Sequence, residues 1–252
     1  MAESATRKTA FVTGASYGVG AATALALARD GFDVALSATR TENLAGTLEE
    51  LARLKVRTLP LGLDLRSAES IAQAMAQIVQ VFGGLDVLVN NAGANLRKLA
   101  VDVTAAEWRE VMEVNVTGTF LMTQEVGRHL IGSGRAGAII NIASTHGLIG
   151  APERSTYGIS KGAIIQMTRM LAIEWAAHGI RVNAVATGRL DTASPLRAGA
   201  DPKYMEAMLA RIPLHRLATA EEVAGAVAYL AGPQAQAVTG QVLVIDGGLT
   251  AA

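Results

Sequence analysis

The sequence predicts an α/β domain: one parallel sheet with helices packed on both of its faces. Three observations carry that reading. Short apolar runs alternate with helix-like stretches from end to end, the spacing of βαβ units. The runs are apolar almost without interruption, as strands covered on both faces must be. The composition is aliphatic, with 50% hydrophobic residues but only 4% aromatic ones, which suits layered helices and buried strands. A chain of 252 residues is long enough for one large core.

The elements follow in order. "TAFVTG" is a first β-rich run that stops at Gly14, and residues 18–30, "GVGAATALALARD", are helix formers behind glycines. Further strands are expected at 32–38, 56–64, 85–93, 137–144, 180–187 and 241–248, making about seven in all. Helices are expected near 42–54, 67–82, 104–131, 155–178 and 219–231. No linker or fixed-period repeat interrupts them, so residues 1–252 read as one domain. The irregular stretch is 188–215, rich in Gly, Pro and Asp. It follows the sixth strand, at the carboxyl end where open α/β sheets bind ligands, and is expected to be a substrate lid.

Charge and cysteine usage exclude several classes. The 22 basic and 22 acidic residues cancel and form no like-charge run, so neither a nucleic-acid footprint nor a basic membrane-binding face is expected. The absence of cysteine rules out disulfides and thiolate metal sites and fits a reducing compartment. His129, His178 and His215 are scattered without metal-ligand spacing, and no metal is expected. The N-terminus lacks the apolar core of a signal peptide, and no apolar run reaches the 18 residues needed to cross a bilayer. The expectation is a soluble, cytoplasmic protein.

Two stretches carry chemistry. In "TGASYGVG" (13–20), Gly14, Gly18 and Gly20 lie between a strand and a helix. Gly14 allows a tight turn, Gly18 lets the backbone approach a pyrophosphate, and Gly20 lets helix and strand pack closely. The helix N-terminus then receives phosphates. The spacing is G-x-x-x-G-x-G rather than the commoner G-x-G-x-x-G. In "STYGISKG" (155–162), Tyr157 and Lys161 stand four apart and share one helical face. Such a pair can be mere surface polarity, or a phenol whose proton an adjacent ammonium makes transferable. A free phenol titrates near 10, so only the second arrangement makes a base near neutral pH.

Together with "NNAG" (90–93), Asn115, Ser144 thirteen positions before Tyr157, and the closing "DGG" (246–248), these stretches resemble the classical short-chain dehydrogenases/reductases. The match runs in the right order through nearly the whole chain. It implies a Rossmann-type, doubly wound sheet and hydride transfer between a nicotinamide cofactor and an alcohol–ketone pair. By resemblance, Tyr157 is the acid/base, and Lys161 lowers the tyrosine's pKa and holds the nicotinamide ribose. Ser144 bonds the substrate oxygen, and Asn115 helps anchor a water leading from the lysine to solvent. Asn115 stands mid-helix, where asparagine is a poor helix former, and its neighbours Val114 and Val116 argue against a solvent-facing role.

The cofactor set implied is Gly14, Ser16, Tyr17, Gly18, Val19 and Gly20 in the turn, Thr39 and Arg40 after the second strand, and Asp64 and Leu65 near the adenine. Asn91, Ala92, Gly93, Tyr157, Lys161, Gly188, Leu190 and Thr192 complete it. An NAD site usually has an acid at the end of the second strand. Here Ser37, Ala38 and Thr39 are neutral and Arg40 follows, which suits the 2′-phosphate of NADP over NAD, although Tyr17 stands where NADP-using relatives often carry a base. Thr187–Gly188 replaces the family's Pro-Gly, so the start of the following loop is expected to be freer. Asn95, His146, Glu153, Arg154 and Arg189 are candidate substrate-lining residues. They favour a polar hydroxylated or anionic small molecule such as a sugar, polyol or sugar acid, with a 3-oxoacyl thioester as the alternative. A catalytically silent dinucleotide-binding sensor or scaffold would be expected to lose Tyr157 or Lys161, and this chain keeps both. Apolar residues spread around the helices at 104–131 and 155–178, so a homotetramer is expected.

Overall fold

The computed structural model describes residues 7–191 and 202–252, with the side chains of 202–204 excepted. Seven strands, β1 (Thr9–Val12), β2 (Asp33–Ala38), β3 (Thr58–Gly62), β4 (Val87–Asn90), β5 (Gly137–Ser144), β6 (Ile180–Thr187) and β7 (Val242–Ile245), form one sheet in the order β3-β2-β1-β4-β5-β6-β7. Every pairing is parallel. The chain winds from β1 out to β3, returns to the far side of β1, and winds outward again to β7. The strand order therefore reverses between β1 and β4, the point where such sheets open a ligand crevice at their carboxyl ends.

The apolar strands serve two layers because alternate side chains point to opposite faces. On one face, Ala10 and Val12 of β1 and Val87 and Val89 of β4 pack with helices α1 (Gly18–Arg29) and α8 (Ala220–Ala231) through Leu27, Val223 and Val227. α2 (Ala45–Ala52) lies on the same side, through Leu51. On the other face, Phe11, Leu88 and Ile139 pack with α3 (Ala68–Phe82), α5 (Thr119–Ser133) and α6 (Ser155–Trp175) through Ile78, Met122, Val126 and Leu171.

One expected element differs in kind. The helix expected over 104–131 starts as α4 (Ala105–Met112), behind a capping box in which Thr104 and Glu107 exchange hydrogen bonds. It then widens into a single π-helical turn, Glu113–Gly118, before resuming as α5. The turn's residues, Glu-Val-Asn-Val-Thr-Gly, are mostly weak helix formers, and π turns often mark functional positions. Gly118 fits there because a Cβ would run into the Leu65 carbonyl oxygen. Of the expected lid, α7 (Pro202–Leu209) and the residues up to His215 are described, together with 188–191.

Candidate active site

The strands deliver the predicted residues to one end of the sheet. After β1, Gly14 adopts φ +66° and Gly18 φ +60°, the left-handed backbone that glycine tolerates. A Cβ on Gly14 would lie 2.8 Å from the Ala92 Cα, and one on Gly20 would collide with the Gly14 carbonyl and lie 2.6 Å from the Asn91 amide. Asn91 fixes the turn by donating from Nδ2 to the carbonyls of Thr13 (3.0 Å) and Gly14 (2.8 Å). Thr13 Oγ1 in turn accepts from the backbone of Asn91 and Ala92. Tyr17, 81% exposed, caps α1 without a side-chain hydrogen bond, so the first-turn N–H groups are left for an anionic ligand. Ser16 and Val19 lie in the same turn. These features fit a dinucleotide's phosphates.

Thr39 and Arg40 are exposed just past β2, and Arg40 opens a short 3₁₀ turn, Thr41–Leu44. Asp64 is held in its charged form by the Arg66 side chain (2.8 and 2.9 Å), while Leu65 is buried against Gly118. Gly188 lies close to Asp246, where a Cβ would be 2.9 Å from the Asp246 Cα. Thr187 stays in register with Ile245, and the Gly188 N–H donates to the Ile245 carbonyl at 2.9 Å. The ladder holds this segment in place of the proline ring. Leu190 forms a bridge with Ala218, and Thr192 lies outside the described residues.

Ser144, at the carboxyl end of β5, lies beside Tyr157, in the first turn of α6, near enough for its hydroxyl to favour the ionised phenol. Beneath them Lys161 is buried, its Nζ donating to the Ile142 carbonyl at 2.7 Å and lying 5.7 Å from the centre of the Tyr157 ring. Burial without a counter-ion pulls the ammonium down to a pKa of about 8. Burial raises the Tyr157 pKa, and the neighbouring Ser144 hydroxyl and the Arg154 charge oppose that rise.

Asn115 is buried in the π turn. Its Oδ1 accepts from the Ala94 N–H at 2.6 Å, and its Nδ2 donates to the Ala94 carbonyl (2.9 Å) and to Ser160 Oγ (3.0 Å). Ser160 then donates to the Tyr157 carbonyl at 2.7 Å. Gly93 faces both partners, since a Cβ there would lie 3.0 Å from Asn115 Oδ1 and 3.7 Å from Lys161 Nζ. Ser160, Thr13 and the Ile142 carbonyl belong to this constellation and were not singled out from the sequence. The serine of "YGISK" was the available signal; a carbonyl partner leaves none.

The substrate candidates divide. His146 meets Tyr157 edge-on, ring centres 6.2 Å apart, and burial together with the charges of Arg154 and Arg189 lowers the imidazole's pKa below its ordinary value. Its Nδ1 is buried without a hydrogen-bond partner. Arg154 donates to Asn95 Oδ1 at 2.8 Å, and Glu153 pairs with Arg97 at 2.7 Å. Arg189 reaches away toward α7, its guanidinium 2.7 Å from Met208 Sδ. Among the described residues no cluster of His, Asp and Glu could hold a metal, and no helix is long and apolar enough to cross a membrane.

Residues 14–250 match the family model described as enoyl-(acyl carrier protein) reductase. The chain is 38% identical over 244 residues to the glucose 1-dehydrogenase of Gluconobacter oxydans, covering 96% of this chain and 92% of that protein. It is 39% identical over 242 residues to the 3-oxoacyl-[acyl-carrier-protein] reductase FabG of Thermotoga maritima, with 96% and 97% covered. A solved structure described as a 2-deoxy-D-gluconate 3-dehydrogenase of Agrobacterium tumefaciens, with bound NADP, superposes at a TM-score of 0.89 and 36% identity over 97% of both chains.

Proposed function

The chain belongs to the classical short-chain dehydrogenase/reductase family, and from that premise we propose that Ser144, Tyr157, Lys161 and Asn115 are its catalytic residues. It is an oxidoreductase that uses NAD(P) on an alcohol–ketone pair. The observation that carries the residue assignment is the Tyr157 phenol beside Ser144, with the buried Lys161 ammonium 5.7 Å from the centre of its ring.

A nicotinamide cofactor held by the Gly14–Gly20 turn and Lys161 would supply the hydride, or accept it in the reverse direction. Ser144 donates a hydrogen bond to the substrate oxygen and holds it beside the phenol. Tyr157 gives its proton to that oxygen in reduction and takes it back in oxidation. Lys161, lacking a counter-ion in its buried position, turns its ammonium to the ribose hydroxyls and stabilises the phenolate once the proton has left. Asn115 keeps the π turn fixed to Ala94 and Ser160, beside the lysine, where it helps anchor a water through which the proton is replaced. Gly14, Gly18 and Gly20 admit the pyrophosphate, and the exposed Arg40 guanidinium favours the 2′-phosphate of NADP.

His146, Asn95 and Arg154 make the mouth polar, which supports a small hydroxylated or anionic carbonyl substrate. The relative that reduces 3-oxoacyl groups on a carrier protein supports a thioester as the second reading. The assembly is a homotetramer in the cytoplasm. Oxidation of NADPH across a panel of sugar-derived ketones, keto acids and 3-oxoacyl thioesters tests the function. Turnover confined to thioesters would replace the first substrate class with the second.

A further inference from the structure

Glu153 is one of three non-glycine residues, among those described, with positive φ (+61°). L side chains rarely adopt that backbone, and it persists where the surroundings over-determine it. At Glu153 the surroundings are visible. Its carbonyl accepts from the Lys98 N–H at 3.0 Å, and its carboxylate pairs with Arg97 Nε at 2.7 Å. The next residue, Arg154, donates to Asn95. The segment before α6 thus grips residues 95–98 at three points. The same loop is bolted one residue earlier, where Ala94 exchanges two hydrogen bonds with Asn115, itself bonded to Ser160. The two anchorages fall at 154 and 160 of α6's amino end, on either side of Tyr157.

We propose that Glu153 is a positioning residue: it clasps the 94–98 loop to the start of α6 and so fixes the wall of the substrate site that flanks Tyr157. This rests on the reductase reading above and assigns Glu153 to the loop rather than to the substrate. A residue whose role is confined to stability would behave differently from a clasp, because glycine at 153 removes the backbone strain together with the carboxylate.

Glu153→Gly is expected to raise the KM for the accepted ketone about tenfold while kcat changes less than about threefold, the pattern of lost ground-state positioning. NADPH affinity by fluorescence titration and the thermal midpoint are expected to hold. Glu153→Gln, which keeps an acceptor for Arg97, is expected to restore most of the KM. Hydrogen exchange at the Lys98 amide should quicken about tenfold in Glu153→Gly. A KM that stays at the parent value while that amide exchanges faster would overturn the proposal, since the loop would then be no wall of the site. If the parent turned over no carbonyl compound, the reductase reading would fall. Lys98 exchange would still judge the clasp, with no acceleration in Glu153→Gly overturning it.

Discussion

Tyr157 is the residue on which the chemistry turns. Its phenol lies part-buried beside Ser144, and replacing it by Phe removes one oxygen while leaving ring and helix in place. Tyr157→Phe should therefore lose at least about 100-fold in turnover, the scale of general acid–base catalysis, with NADPH affinity nearly intact. Lys161 is expected to show the opposite balance between stability and activity. Its folded pKa of about 8 lies below the ordinary 10.5, so below pH 8 the folded state carries the full cost of a buried charge. Between the two values the unfolded chain binds more protons, and stability from this group rises with pH. Lys161→Met should accordingly abolish turnover yet raise the thermal midpoint at pH 7 by at least about 2 °C, the gain shrinking toward pH 10. Arg40→Asp should shift kcat/KM from NADP toward NAD, because an acid repels the 2′-phosphate and accepts from a free 2′-hydroxyl. An unchanged ratio would remove Arg40 from the site. Residues of this kind were legible because their chemistry is in their type and spacing. The Tyr157–Arg154 influence, the Ile142 carbonyl and the Arg97–Glu153 pair were not, because they depend on which loops meet in space.

Elements were legible where apolar pattern and cap agreed. Ser67 accepts from the Ser70 N–H at the start of α3, and Gly83, at φ +80°, ends it, so the expected 67–82 differs from the structure by one residue. The π turn at Glu113–Gly118 was hidden because hydrophobic periodicity runs straight through it; only its poor helix formers hinted at a break. α4 and α8 share a device that makes a pH prediction. Glu107 is held at about 2 by Lys98 and the Thr104 cap, and Glu222 at about 2 by Arg216 and the Thr219 cap. Both pKa values are depressed below the ordinary 4.5, so the stability they contribute is present above pH 4.5 and lost as pH falls toward 2. Glu222→Gln keeps a capping group but loses the ion pair. Its thermal midpoint should fall less steeply than the parent's between pH 5 and 3, and parallel curves would show that the pair contributes nothing to acid stability.

At the scale of the whole molecule, strand number, parallel direction and the ligand-bearing end were legible, because each strand's apolar run and each βα turn is a local signal. What covers the outer helices was not settled by one chain. The apolar residues spread around 155–178 divide once the fold is known: Ile164, Ile165 and Leu171 are buried in the chain's own core, while Ile173 is 78% exposed and Ile159 and Met170 about half exposed. On the neighbouring α4 and α5, Trp108 and Phe120 also keep more than a third of their surface in solvent. The core of the same chain therefore does not cover them, and exposed apolar side chains of this kind support the proposed contact between copies of the chain. A second copy of the chain is the fitting occupant, because paired α4–α5 and α6 surfaces can close on themselves about a two-fold axis. Leu243 of the edge strand β7 and Tyr229 of α8 are also exposed, and a second two-fold contact through them would complete the proposed tetramer. Ile173→Glu places a charge on the first face without touching the active site. Light scattering should give four times the 26.1 kDa chain mass for the parent and a smaller species for the variant. A parent that scatters as a single chain at micromolar concentration would leave these helices without their partner and reject the assembly.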